Sequence, residues 1–151
     1  MSKQLTNSAQ AVQQALDKAG LNQSKVLELP SSTRTAVDAA SSIGCAVAQI
    51  VKSLIFKTKD TNKPILVLVS GSNRVNEQSV ASQIGESIVK ADADFTKSIT
   101  GFAIGGIPPI GHKTKIDMIF IDKTLLDFSG VWAAAGTPNA VFCIKTADLL
   151  N

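Results

Sequence analysis

Strand-like apolar runs and amphipathic helix-like runs alternate along the whole chain. That alternation restricts it to folds in which helices pack on a sheet. Ala9, Val12, Leu16 and Ala19 recur at helical spacing ahead of Gly20, which predicts a helix from Ser8 to Ala19. Val26 to Leu29 is a short strand candidate ended by Pro30, and Thr35 to Ile43 reads as a second helix closed by Gly44. Ile50 to Lys57 and Pro64 to Val69 are strands by their β-branched and apolar content, the second bounded by Ser70-Gly71-Ser72-Asn73. A helix follows from Asn76 to Ile84 before Gly85, then a strand over Ile88 to Lys90. Asp92 caps a helix reaching Ile99, with Gly101 as its stop. Strands are expected over Ile116 to Ile121 and Asn139 to Lys145, with Thr146 capping a terminal helical turn. No linker, low-complexity tract or internal repeat interrupts this order, so the expectation is one α/β domain over residues 1–151 with a mixed sheet.

Composition narrows the function. The 151 residues are 44% hydrophobic and 18% charged, enough to bury a core and too apolar for disorder. Aromatics make up 5%, with one Trp and no Tyr, which disfavours a nucleic-acid binder built on rows of stacking rings. The net charge of +3 permits a phosphate-bearing partner without demanding one. Arg34 and Arg74 are the only arginines, so lysine must carry most phosphate contacts. Cys45 and Cys143 lie far apart in apolar surroundings and are expected as buried, reduced thiols. With one histidine and no C-x-x-C pair, the chain lacks the ligand cluster of a structural zinc site, and no metal or cofactor is expected. Met1 to Gln10 lacks the basic-then-apolar pattern of a signal peptide, and runs such as Ile65 to Val69 are too short to span a bilayer. A cytoplasmic setting is the expectation.

Several segments break the local rules. On a strand, Ile50, Lys52, Leu54 and Phe56 share one face, three of them large and apolar and the fourth a cation. Lys52 is either a lysine at the sheet edge with its ammonium in water, or a charge held in a pocket and aimed at an anion, a carbonyl or a hydroxyl. Gly101 to His112 packs four glycines and two prolines into one loop. Such a loop either serves as a rigid connection or presents backbone amides to a developing oxyanion. It carries neither the G-x-G-x-x-G spacing of a dinucleotide site nor a G-K-[ST] P-loop. His112, the sole histidine, is a candidate base or a plain hydrogen-bonding loop residue. Trp132 to Asn139 carries small residues that either line a small pocket or pack against the sheet, with a turn at Gly136 to Asn139. Asp122 reads as a helix cap at a strand end, and Asp117 as solvated.

Taken in order, Gln49 to Phe56, the Gly105 to Pro109 loop, Asp122 after its strand and Ala135-Gly136-Thr137-Pro138-Asn139 resemble the YbaK-like aminoacyl-tRNA editing domains. These occur as an insertion in bacterial prolyl-tRNA synthetases and as freestanding proteins. The resemblance covers nearly the whole chain. It implies a strongly twisted mixed sheet surrounded by helices, and hydrolysis, without a metal, of the ester between a wrong amino acid and the 3′ end of tRNA. The family lysine falls on Lys52, and the family Gly-x-x-x-Pro loop on Gly105 to Pro109. Lys52, Gly105 and Gly106 are therefore the expected catalytic groups, with the two glycine amides on the ester or oxyanion. Lys52 would face the sugar hydroxyl, the carbonyl or the terminal phosphate. Ile50, Ile107, Pro108, Pro109, His112, Ala134, Gly136 and Thr137 are the expected substrate-binding residues.

The branch that clears cysteine from proline tRNA has serine and charged residues where Ala133 to Asn139 stand here, so its substrate does not carry over. Small lining residues suit a small amino acid: Ala, Ser, Thr or Cys. The implied activity is a freestanding trans-editing deacylase. Its partners would be the aminoacyl-tRNA acceptor end and a synthetase or elongation factor. Two other readings stay open at this stage: a non-catalytic module binding aminoacyl-tRNA or nucleotide, and a hydrolase of another small acyl ester.

Overall fold

In the computed structural model the described residues are 7–21, 24–29, 35–104, 106–137 and 139–149. Pro30, Arg34, Gly105 and Pro138, together with most of the Met1 to Gln10 segment, lie outside them.

The helices form where residue pattern and punctuation agree. Helix α1 (Asn7–Lys18) buries Ala9, Val12 and Leu16 along one stripe. Three eight-residue helices carry the same pair of end signals. For α2 (Ala36–Ile43), the Thr35 hydroxyl accepts the Asp38 N–H and Gly44 closes the helix in the left-handed conformation. For α3 (Glu77–Ile84) the pair is Asn76 and Gly85, and for α4 (Ala93–Thr100) it is Asp92 and Gly101. Each cap satisfies a helix-end N–H that would otherwise lack a partner, and losing one costs about 1 kcal/mol.

Among the described residues there are seven strands: β1 (Leu27–Glu28), β2 (Ile50–Thr58), β3 (Pro64–Ser70), β4 (Ile88–Lys90), β5 (Met118–Ile121), β6 (Gly130–Ala134) and β7 (Ala140–Lys145). They form one mixed sheet in the order β1-β7-β6-β2-β3-β5, with β4 added alongside β2. The pairs β2/β3, β2/β4, β6/β7 and β1/β7 are antiparallel, and β2/β6 and β3/β5 are parallel. The mixed α/β sheet expected from the sequence is therefore present.

Strands β2 and β3 divide their side chains between two cores. Val51, Ile55, Leu66 and Leu68 join α1, Phe102 and Phe142 on one face. Phe56, Ile65 and Val67 meet Val80 of α3 and Ile88 on the other. Burial on both faces explains why β3 reads as an unbroken apolar run rather than an alternation.

Three expectations need correction. β6 has no strand signature, since Gly130, Ala133 and Ala134 are poor strand formers. Pairing to β2 on one side and β7 on the other overrides that propensity. Thr146 does not cap the last helix: it is the first residue of α5 (Thr146–Leu149), and its hydroxyl donates to the Phe128 carbonyl. The cysteines are free but not buried. Cys45 is half-buried and Cys143 is exposed, because β7 turns it to the outer face between Phe142 and Ile144. Lys52 sits on an inner strand of the sheet, but at a local edge where β2 has β3 as its only strand partner.

Candidate active site

Strand β2 changes partners part-way along its length. β6 pairs with it only at Ile50 and Val51, and β4 only from Phe56 to Thr58. From Lys52 to Ile55 its strand partner is β3 alone, and the Ala91 N–H reaches the Ile55 carbonyl at 3.1 Å to close the far side of the gap. At this split lies a cavity of about 490 Å³, within the size range of small-ligand sites. Both faces of β2 contribute to it, with Lys52 and Leu54 from one and Ser53 and Ile55 from the other. Ala39, Ala91, Ala133, Ala134 and Ile107 supply small or apolar wall, Trp132 is half-buried beside them, and Val37 and Ile104 are exposed.

Lys52 is half-buried, and its Nζ donates to the Asn73 carbonyl at 2.6 Å. Asn73 is itself held. Its Nδ2 donates to Asp122 Oδ2 and to Thr124 Oγ1, both at 2.9 Å. The Asp122 carboxylate also accepts the Ser70 N–H at 3.0 Å and, on its other oxygen, the Thr124 N–H at 3.0 Å. Asp122 is thus the cap expected from the sequence, for the 3₁₀ turn Lys123–Asp127, and also the anchor of the segment that holds Lys52. Burial and the neighbouring Arg74 push the Lys52 pKa below 10.5, and Asp122 partly opposes them. Burial of Asp122 acts to raise its pKa, but the hydrogen bonds from Asn73, Thr124 and Ser70 bring the net shift below the usual carboxylate value. An ammonium has three donors, and the Asn73 carbonyl takes one, which leaves two N–H groups for other partners.

The Gly/Pro loop works differently from the sequence expectation. The Gly106 N–H donates to the Ala103 carbonyl at 3.2 Å, so it is spent inside the loop and not offered to an oxyanion. The Gly106 carbonyl accepts the Gly136 N–H at 2.8 Å. A Cβ on Gly106 would stand 2.8–2.9 Å from the Thr137 backbone. Glycine is needed here for the close crossing of two turns. That crossing carries Ile104 and Ile107 to the cavity. Gly105 lies outside the described residues.

Of the other expected substrate-binding residues, Ile50, Ile107 and Ala134 line the cavity. Pro108 is fully buried, and Pro109 lines a separate apolar groove with Ile110, Ile119 and Ile121. Gly136 and Thr137 support the loop crossing, where Gly136 has a φ of +94°. His112 is half-buried, and its Nε2 lies 2.7 Å from the Pro108 carbonyl. Burial lowers its pKa, with the Pro108 contact opposing. It is not among the residues that line the cavity.

Two contributors escaped the sequence reading. Asn73 acts on Lys52 through its backbone carbonyl, for which residue type gives no signal. Ser53 is 8% exposed, and its Oγ is the one buried side-chain polar atom without a hydrogen-bond partner among the described residues. Its signal was available: on the face shared by Val51, Ser53 and Ile55, it is the polar residue turned inward. Among the described residues, no group of three His, Cys, Asp or Glu side chains is placed to hold a metal, and no helix is long and apolar enough to cross a membrane.

The profile of the aminoacyl-tRNA editing domain matches residues 30–151. The chain belongs to the aminoacyl-tRNA editing domain family. Its similarity to proline--tRNA ligases is partial: it is 36% identical over 89 residues to that of Limosilactobacillus fermentum, covering 56% of this chain and 16% of the ligase. It is 26% identical over 126 residues to the uncharacterized protein YwhH of Bacillus subtilis (strain 168), covering 82% of this chain and 78% of that protein. Among solved structures, a candidate trans-editing enzyme for prolyl tRNA synthetase superposes with a TM-score of 0.91 at 44% identity, covering 97% of this chain and 92% of that one. The editing-domain family thus accounts for the fold, and the Lys52 cavity is a site within it of a size to hold a small ligand.

Proposed function

We propose that this protein is an aminoacyl-tRNA deacylase that clears misacylated tRNA in trans, with the Lys52 cavity as its active site. The observation that carries this reading is a lysine, its ammonium fixed by the Asn73 carbonyl, that lines a small-walled cavity in an editing-domain fold. Arg74 is close enough to Lys52 to lower its pKa, and Lys90 lines the same cavity, so two further cations accompany Lys52. Such a cluster suits the phosphates of a tRNA acceptor end. The exposed Val37 and Ile104 and the half-buried Trp132 offer apolar surface to the terminal adenine, and the alanine-lined interior suits a small amino acid.

In the proposed reaction a water oxygen attacks the ester carbonyl carbon. The carbonyl oxygen gains negative charge, the bond to the ribose oxygen breaks, and that oxygen takes a proton. Free amino acid and uncharged tRNA leave. An aminoacyl ester is already activated, so orientation and charge stabilisation supply most of what is needed. Lys52, with two uncommitted N–H donors, serves the developing carbonyl oxyanion. The Gly106 amide is not part of this assignment. His112 is left out as a base because it lies off the cavity.

The test is a deacylation panel of tRNAs charged with Ala, Ser, Thr, Cys and Pro, with wild type and Lys52→Ala. Hydrolysis of one or a few small esters, lost in the variant, is expected. A folded wild-type protein that hydrolyses none of them would overturn the assignment, as would equal turnover of tRNA-free aminoacyl esters.

A further inference from the structure

Ser53 lies on the face of β2 opposite Lys52 and lines the cavity, and its hydroxyl is buried without a partner. The cavity it lines is mostly apolar, with Val51, Ile55, Ala91, Ile107 and Ala133 among its residues, and Thr96 adds a second buried hydroxyl-bearing residue. A buried hydroxyl with both donor and acceptor capacity costs stability while unpaired, so its retention points to a group that completes it when the cavity is filled. An α-ammonium is a poor candidate. It would give up its hydration for neutral hydroxyls with no carboxylate among the lining residues, in a cavity that already holds Lys52 and Lys90. A neutral hydroxyl fits, because it can both give and accept one hydrogen bond there, and the surrounding methyl groups tolerate an extra carbon.

We propose that Ser53 determines specificity by hydrogen-bonding the side-chain hydroxyl of the bound amino acid, so that seryl and threonyl esters are preferred over alanyl esters. This rests on the deacylase reading for its catalytic readout, and on the cavity alone for its binding readout. A site built to bond a substrate hydroxyl discriminates strongly against the analogue lacking it, because its own polar atom is then left unpaired.

The test compares wild type with Ser53→Ala. Deacylation is measured on tRNA charged with Ser, Thr and Ala. Binding is measured with non-hydrolysable amide analogues, seryl-aminoadenosine and alanyl-aminoadenosine. Wild type should favour the hydroxylated group at least tenfold in both assays. Ser53→Ala should lose that preference by weakening the Ser and Thr ligands while leaving Ala unchanged or improved. Its melting temperature should be equal or higher, because an unpaired buried polar atom has been removed. A variant that loses activity on all three esters equally overturns the proposal, as does one that changes none of them, which would mean that Ser53 pairs only with water. If no ester is hydrolysed, the deacylase reading fails on its own, and the two analogue affinities still decide this one: equal binding of seryl and alanyl analogues refutes it.

Discussion

The Lys52 ammonium and the Asn73 backbone carbonyl meet at 2.6 Å, and the Asn73 side chain is in turn fixed to the Asp122 carboxylate at 2.9 Å. The lysine is therefore positioned from the far side of β3, through a segment that a carboxylate 49 residues along the chain holds in place. The carboxylate oxygen that receives Asn73 also receives the Ser70 N–H. In Asp122→Asn one oxygen becomes an NH2 group, which sets donor against donor at one side of the carboxyl. The expected outcome is a stability loss of about 1–3 kcal/mol. Deacylation should fall by roughly 10²-fold, the scale of an ångström misplacement. A double-mutant cycle checks the route. If Asp122 acts through Lys52, Asp122→Asn in a Lys52→Ala background should remove little further activity. Additive losses would show that Asp122 acts independently.

Lys52 itself should separate activity from stability. Lys52→Ala removes a donor from the site of the developing charge, at a cost of about 3 kcal/mol in activation energy, or more than 10²-fold in rate. The fold should persist, since the substitution also removes a partly desolvated charge. Lys52→Arg keeps the charge but puts a planar fork where a compact ammonium fits against one carbonyl, so only partial recovery is expected. Urea melts alongside the deacylation rates check both statements, and a collapsed Lys52→Ala variant would make the lysine structural.

The direction of the Lys52 shift gives a pH profile. Its folded pKa lies below 10.5, so between the two values the unfolded chain binds more protons and stability rises with pH. Activity that needs the ammonium should move the other way. The rate difference between wild type and Lys52→Ala should decline as pH rises through a midpoint below 10.5. A midpoint at or above that value would mean the ammonium is not desolvated in the working enzyme.

How much of this was legible in the sequence depends on the range of the interaction. Thr35 with Gly44, Asn76 with Gly85 and Asp92 with Gly101 are local signals, and each bounds the helix it announces. Lys52 stood out because a cation among Ile50, Leu54 and Phe56 conflicts with strand patterning. The cavity was not legible, because it depends on β6 and β4 meeting β2 from separate parts of the chain and leaving a gap between them. β6 was missed for a related reason: its Ala-rich sequence becomes a strand only by pairing with its neighbours. Gly106 drew attention as a ligand-facing glycine, yet what it approaches is the Thr137 backbone.

Gly106→Ala tests that last point. The added Cβ would meet backbone atoms at 2.8–2.9 Å, and backbone cannot swing aside as a side-chain end can. Overpacking of this kind costs about 1–3 kcal/mol. A lower melting temperature is expected, together with weaker substrate binding as Ile104 and Ile107 shift. An unchanged melt with lost catalysis would restore Gly106 to a direct role in the chemistry.

His112→Ala should do the reverse of a catalytic substitution. It removes the contact with the Pro108 carbonyl, worth about 1 kcal/mol, while the cavity is untouched. Thermal stability should drop modestly and kcat/KM below the melt should stay within about twofold. The wild-type histidine also has a folded pKa lowered by burial, so the unfolded chain takes up its proton first, and stability is lost as pH falls below 6.5. His112→Gln should flatten that part of the stability curve. A large drop in kcat with unchanged stability would instead mark His112 as part of the chemistry.

Salt dependence distinguishes tRNA from a small ester as the working substrate. The chain carries only +3, but Lys52 and Lys90 line the cavity and Arg74 lies near Lys52, so the local charge is concentrated where an acceptor end would enter. Contacts to single-stranded phosphates lower log affinity by about 0.7 per phosphate neutralised for each tenfold rise in salt. With Lys52 serving the oxyanion, Lys90 and Arg74 supply two such contacts, and kcat/KM on aminoacyl-tRNA should fall with a log–log slope of roughly −1.4. A tRNA-free aminoacyl ester, which brings no phosphate, should show almost no slope. Lys90→Ala should reduce the tRNA slope by about one phosphate's share, and leave hydrolysis of the small ester unchanged. A flat tRNA profile would mean that the cations do not contact the acceptor backbone, and that recognition rests on the terminal adenosine and the amino acid alone.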